Sequence, residues 1–393
     1  MRKASFSVVV ILLLCSAPAF AAQFTEAPFL PLSPAIMGQG GSYIAGAQGY
    51  NSFFYNPAGF SRGNGAFTLT SSTSWIYARP DLLISQIAQN IVGTQSSSSL
   101  LNFVNSQVTT GGIGAGSSLG IGYVGDGFGL GAVFILDSSL FGPTLLGVTG
   151  DLTATLGFIG GLSLPFDLGG GMKLHVGADI RPMIRIHTPI SNSSAIAVLM
   201  ALTSGGDIGG ALNSAATLYG SAIGLDLGAI AELGWFSVGL SIRDFGGTQF
   251  NYSSNTFGSV TGNLASHGGF PSGSQPSDTY VIPMDVGVGF AFHPDLGQTK
   301  YFFDPSLSFD MRNIFGAIDG SADFWTLLHA GAEIRLMNLF TLRGGLNQGY
   351  LTLGAGMTLL IFDMNMAIFT QELGEHLGDR PGAGMTFNVD LRI

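Results

Sequence analysis

Among the ionisable residues of this chain, most are scattered and one set is evenly spaced. The six histidines, at 175, 187, 267, 293, 329 and 376, are dispersed, with no His-Glu-x-x-His pair to place two imidazoles on one helix face and no cysteine partner for a metal. The glycine run Gly111 to Gly122 lacks the Lys-Ser/Thr that closes a phosphate-cradling loop and reads as small residues in strands and turns. Asp226 and Glu232 form an acid pair of the kind hydrolysis uses, but acids on the wet side of a strand need no catalytic reason. No enzyme, cofactor or metal site is expected. The spaced set is Lys173, His175, Asp179, Arg181, Arg185 and His187, all at odd positions of MKLHVGADIRPMIRIH, while every even position from Met172 to Ile186 is apolar. Such a row guides or holds a solute if it lines a channel, or else neutralises itself as a structural network; the second is the expected reading.

A period of two over sixteen residues is a strand with one greasy and one wet face. Whether it is an edge strand of a soluble sheet or one stave of a membrane barrel depends on the rest of the chain. Arg2-Lys3, the apolar run Val8–Leu14 and Ala19-Phe20-Ala21 together read as a secretory signal peptide over residues 1–21, too short to span a bilayer as a helix. Its removal takes away Cys15, the single cysteine, and leaves 12 basic residues against 24 acidic ones, a net charge of about −12. That balance argues against nucleic acid as a partner. Charged residues make up 10% of the chain, 60 residues are glycine and the mean hydropathy is +0.42, whereas a soluble protein carries about 25% charged residues. An exported chain this apolar, with no long apolar helix, can pair all its backbone groups in hydrocarbon only as a closed β-barrel.

The alternation recurs fourteen times: at 66–77, 118–124, 127–136, 151–164, 172–187, 220–233, 235–243, 283–293, 300–312, 327–336, 339–347, 350–359, 360–369 and 382–393. The first strand is read with Phe67, Leu69 and Trp75 in phase. An even count returns both ends to one side, and long connections at 78–117, 137–150, 188–219, 244–282, 313–326 and 370–381 alternate with short ones, the outer-membrane pattern, with only the connection after the eleventh strand short where a long one is expected. The expected fold is therefore an all-β, 14-stranded antiparallel transmembrane barrel over 66–393. If the fifth and sixth strands pair, Asp226 falls near Arg181 and Glu232 near His175. Asp310, Arg312, Glu333 and Arg335 are further lumen-facing candidates. Pro182, expected near the outer rim, and Pro305, expected nearer the membrane middle, each remove a backbone donor and mark possible wall defects. Two loop stretches, Pro80–Ala88 and Ala195–Leu202, have helical spacing and either cap the mouth or line a groove there.

Residues 22–65 carry no strand pattern, and their phenylalanines and tyrosines favour a place inside the lumen over a periplasmic arm. Here MGQGGSYIAGAQGYNSFFYNPAGF, ending in Asn56-Pro57-Ala58-Gly59-Phe60, is similar to the N-terminal signature of FadL-like outer-membrane transporters and their PorV-type relatives. Ser241-Ile242-Arg243-Asp244-Phe245-Gly246 and Asp310-Met311-Arg312-Asn313-Ile314-Phe315 resemble repeated elements of the PorV-like and spirochaetal branch. The resemblance implies a fourteen-stranded barrel with an N-terminal hatch at Asn56–Phe60, and passive passage of hydrophobic molecules such as long-chain fatty acids or detergent-like ligands. The alternative it allows is a non-transporting PorV-like scaffold for secretion or surface attachment. A monomer is expected, in the outer membrane among its lipids. The final strand resembles the one read by the barrel-assembly machinery, though it ends in Ile393 where Phe is usual.

Overall fold

The computed structural model describes residues 24–63, 65–78, 102, 105–109, 111–144, 147–271, 275–320, 322–374 and 376–393. The expected signal peptide at 1–21 and the expected helix at Pro80–Ala88 lie outside the described residues.

Alternating side chains build fourteen antiparallel staves: β1 (Ala66–Tyr77), β2 (Ile113–Gly125), β3 (Phe128–Phe141), β4 (Thr149–Gly169), β5 (Met172–Ile190), β6 (Ala216–Leu233), β7 (Phe236–Arg243, resumed as Thr248–Thr256), β8 (Gln275–Ile282, resumed as Asp285–Phe292), β9 (Phe303–Met311), β10 (Leu328–Leu336), β11 (Phe340–Asn347), β12 (Tyr350–Leu359), β13 (Phe362–Glu372) and β14 (Pro381–Arg392). Each pairs with the next, and β14 pairs with β1 to close the ring. Phe67 and Ile393 complete that closure with two backbone hydrogen bonds of 2.9 Å.

On β5 the outward Met172, Val176, Ile180 and Ile184 are 40–51% exposed, while His175, Asp179, Arg181 and Arg185 are buried inside. A barrel apolar outside and polar inside is the inverse of a water-soluble one and suits a hydrocarbon surround. Among the described residues no helix is long and apolar enough to cross a membrane.

Several expectations need correction. The span 244–282 is not a long loop: β7 and β8 continue through it, joined by the helix Phe257–His267. There Phe250 and Tyr252 face inward and Gln249 and Asn251 outward. This reversed alternation fits a wall standing above the apolar zone in water, and it hid the strand. β4, β5 and β6 likewise run to 21, 19 and 18 residues, beyond the roughly 9–11 needed to cross a bilayer. A register shift between Thr68 and Ser71 flips the rest of β1, so Trp75 points into the lumen, 3% exposed, out of phase with the outward Leu69. Tyr301 belongs to a 3-10 helix (Gly297–Tyr301) rather than to the ninth strand.

Pro182 is eleventh of the 19 residues of β5, which runs on to Ile190. The ladder to β6 is unbroken there, with Pro182 opposite Ile223, but the pairing to β4 skips from Gly157 to Gly160. Pro305 is third along β9 and sits opposite Ile334 in an intact ladder. It lies beyond the end of the β8 pairing, near the short-turn side rather than the middle. The narrow seam is between β8 and β9, joined over only Val288–Phe292 and Leu307–Met311.

Candidate functional site

The lumen is filled by residues 24–63. Phe29, Phe53, Phe54 and Phe60 are at most 1% exposed, and Phe53 meets Phe60 and Tyr50 edge-on at ring distances of 5.5 and 5.6 Å. The wall makes room for them with glycine. A Cβ at Gly228 would lie 1.9 Å from Asn56 Oδ1, at Gly177 2.4 Å from the Pro57 carbonyl, and at Gly157 or Gly161 2.7 Å from the Phe29 or Phe60 ring. The lumen side of the barrel is thus shaped to the N-terminal segment by removing side chains, which gives these strand glycines a packing role.

Within Asn56–Phe60, extended Asn56 caps the 3-10 helix Pro57–Ser61 by accepting from the Ala58 N–H at 3.1 Å. Its Nδ2 donates to the carbonyls of Ile44 at 3.1 Å and Leu240 at 3.2 Å. Pro57 starts the helix where no N–H is needed. Ala58 is fully buried, and Gly59 packs so close that a Cβ would sit 2.7 Å from the Ala47 carbonyl. The motif therefore fastens the segment to itself and to β7.

The charged residues pair with one another and with this segment. Arg181, fully buried, holds Asp226 at 2.7 Å and Asp244 at 2.7 Å, while His175 Nε2 lies 3.5 Å from Glu232. Both expected proximities are present, although the direct register partners are Gly224 for Arg181 and Ile230 for His175. Glu232 is held more closely by Arg62 at 2.7 Å. Asp179 is 3% exposed and neither carboxylate oxygen has a hydrogen-bond partner. Arg185 donates to Glu26 at 2.8 Å, and Lys173, at the foot of β5, is exposed. Glu333 accepts from Arg343 at 2.7 Å and Arg335 at 3.3 Å. Asp310 accepts the Tyr43 and Ile44 N–H groups at 2.6 and 2.9 Å, and Arg312 donates to the Gly41 carbonyl.

Glu26, Arg62 and Asp244 were not among the expected residues. Glu26 and Arg62 sit in a stretch read for its aromatics, and Asp244 in one read as loop. Burial alone would raise the Glu26 carboxyl, but hydrogen bonds from His187 (2.7 Å) and Tyr252 (2.8 Å) and the Arg185 charge hold it below the usual carboxylate range.

Among the cavities bordering this segment are one of about 280 Å³ beside Glu26 and His187 and two larger ones. One, of about 560 Å³, has an apolar side made by Leu30, Leu32, Met37, Ile44 and Phe54 and a polar side that includes Arg243 and Arg312. These arginines come from the two repeated elements, each followed by a left-handed residue, Asp244 (φ 50°) and Asn313 (φ 51°), that ends its strand segment. Arg243 is 8% exposed, donates to the Phe29 carbonyl at 3.2 Å, and has its Nε 3.7 Å from Asp226. The second cavity, about 430 Å³, is polar, bordered by Arg62, Asp304, Glu333, Arg343 and Arg392. The expected helix at 195–202 spans Asn192–Ser204 and caps rather than lines a groove: Ala195, Val198 and Leu199 pack on Leu140, Val148 and Leu212. Among the described residues no three His, Cys, Asp or Glu gather to hold a metal ion.

No protein-family model and no curated protein matches this chain. Its structural neighbours include toluene transporters and a FadL homologue, alongside other barrels such as the outer membrane phospholipase of Salmonella typhi. The toluene transporter TodX of Pseudomonas putida is 12% identical, with 94% of this chain and 98% of that one aligned at a TM-score of 0.47. The toluene transporter TbuX of Ralstonia pickettii is 13% identical over 92% and 97% at 0.46, and a Pseudomonas aeruginosa FadL homologue 13% over 92% and 98% at 0.44. At such scores the likeness carries no information about substrate.

Proposed function

We propose that this chain is an outer-membrane channel for passive uptake of hydrophobic molecules, long-chain fatty acids among them, in which residues 22–65 act as the hatch. The observation that carries the reading is the 560 Å³ cavity. Its volume falls in the roughly 300–1,000 Å³ range of small-molecule pockets, which are mostly apolar with a few placed polar groups. An alkyl chain fits against Leu30, Leu32, Met37 and Phe54, and a carboxylate head fits the side of the cavity bordered by Arg243 and Arg312. The cavity also reaches the place where β8 and β9 part. There Asp285 and Asn313 face each other across one hydrogen bond of 2.8 Å from the Asn313 N–H. Solute caught at the outer loops would rest in this cavity and leave inward past the hatch or sideways at the parted strands. The partners are membrane lipids and the hydrophobic ligand, with the barrel-assembly machinery inserting a monomer.

Saturable binding of a fluorescent long-chain fatty acid to the purified, folded protein tests this. Arg243→Gln is expected to weaken binding about tenfold, since a hydrogen bond to a charged group contributes about 1.5–3 kcal/mol. Folded protein that shows no saturable binding would sink the uptake reading and leave the scaffold alternative, in which outer loops hold a protein partner.

A further inference from the structure

The two larger cavities are divided by one short piece of chain. From Gln39 to Ile44 the N-terminal segment lies across the lumen: Gly41 and Ile44 border the 560 Å³ cavity, and Gln39, Ser42 and Tyr43 border the polar 430 Å³ cavity. The wall divides at the same level. Arg312 and His329 border the first cavity, and Ser308 and Glu333 the second.

This strap is seated differently from the rest of the segment. Residues 53–60 are held by buried aromatic rings and by the Asn56 Nδ2 bond to the Leu240 carbonyl of the wall. The strap fits closely on the wall glycines Gly331 and Gly345 and is tied to Asn56 through the Ile44 carbonyl, but it also takes a set of polar side chains from the wall. Asp310 accepts from two consecutive backbone N–H groups, His329 Nδ1 lies 3.0 Å from the Gly40 carbonyl, Arg312 donates to the Gly41 carbonyl, and Ser42 Oγ lies 2.5 Å from Ser308 Oγ. Gly40 and Gly41 both have positive φ, 71° and 80°, so the strap also contains the two residues best able to change backbone conformation. Polar anchors can be exchanged for water, whereas withdrawing Phe53 or Phe60 would empty the centre of the lumen.

We propose that Gln39–Ile44 is the moving gate between the two cavities and that the Asp310 carboxylate is its latch, the remaining hatch staying seated. The proposal rests on the channel reading above, but its test needs no hydrophobic ligand. Asp310→Asn keeps the size of the side chain and weakens its grip on Tyr43 and Ile44. In planar bilayers the full-length variant should pass ion current where the parent stays shut. The sequence has one cysteine, Cys15, within the expected signal peptide, so in a chain beginning at residue 22 Ser42→Cys with Ser308→Cys, whose oxygens lie 2.5 Å apart in the parent, can lock the strap to the wall. Added to Asp310→Asn, the oxidised pair should abolish the current, and reductant should restore it. Current that persists with the disulfide verified by mass spectrometry would overturn the proposal. So would an Asp310→Asn variant that stays shut while a barrel lacking residues 22–65 conducts. A gate that behaves as described in a protein that binds no hydrophobic ligand would instead count against the uptake reading alone.

Discussion

At the level of single residues, Arg181 is a fully buried charge held between two acids. It lies fully buried beside Asp226 and Asp244, with Arg243 Nε 3.7 Å from Asp226 and the Phe29 ring 5.6 Å away. Removing one partner from a buried pair costs about 3–5 kcal/mol because the other charge is left uncompensated. Arg181→Met should therefore lower the melting temperature of the purified barrel, and Arg181→Glu should prevent it from reaching the heat-modifiable folded form seen on gels; a folded Arg181→Glu barrel with the parent's melting temperature would refute this role. Glu26 makes a pH-dependent case. Its carboxyl is held below the usual range, so the stabilisation it gives the start of the segment is complete above the ordinary carboxylate pKa. That stabilisation is lost as pH falls through the lower folded value. Phe24 stacks on Tyr280 at 4.9 Å, so Phe24→Trp emission reports the seat. It should stay constant down to the ordinary carboxylate range and shift only below it, whereas adding Glu26→Gln should shift it already at neutral pH. The Arg181–Asp226 proximity was legible because both residues sit on the wet face of neighbouring strands. Glu26 was not, because its partners depend on the path of a segment with no periodicity.

At the level of elements, what could be read followed the solvent. Where hydrocarbon lies outside and polar groups inside, alternation marked the strands, and β5 and β6 appeared with the correct faces. Where water lies on the outer side, Thr248–Thr256 and Gln275–Ile282 lost that contrast and read as loop. The turn between β12 and β13 was unmarked because Leu360, rather than a glycine or asparagine, takes the positive φ of 54°. The phase of β1 was misread because a bulge leaves no compositional trace. The glycine face was visible only as composition, since its cause is the shape of another segment. That cause predicts a specific failure. Gly228→Leu adds a side chain where even a Cβ would meet Asn56, so the barrel should still insert but with its N-terminal segment displaced, read as faster proteolysis between residues 24 and 63. Cleavage no faster than in the parent would show that the close fit at Gly228 is not what seats the segment.

For the whole molecule, the barrel wall and the N-terminal segment specify each other. A lumen whose inward glycines leave hollows for Phe29, Phe53 and Phe60, and whose arginines at 181, 185, 243 and 312 are held partly by that same segment, has two consequences if residues 22–65 are removed. The hollows open into a continuous passage, so the truncated barrel should conduct ions strongly in planar bilayers. It should also be less stable than the intact chain, because Arg185 loses Glu26 and the buried phenylalanines lose their burial. These effects separate the plug reading from a merely decorative N-terminus. A decorative segment would leave both conductance and melting temperature unchanged on deletion, whereas a plug built into the core of the lumen must change both together. Restoring the segment with Asn56→Ala should give an intermediate state. The aromatic seat remains, but the hydrogen bonds to Ile44 and Leu240 are lost, at about 1 kcal/mol for each bond. The expected record is brief openings in an otherwise closed barrel, and a variant as silent as the parent would place the fastening elsewhere than at Asn56.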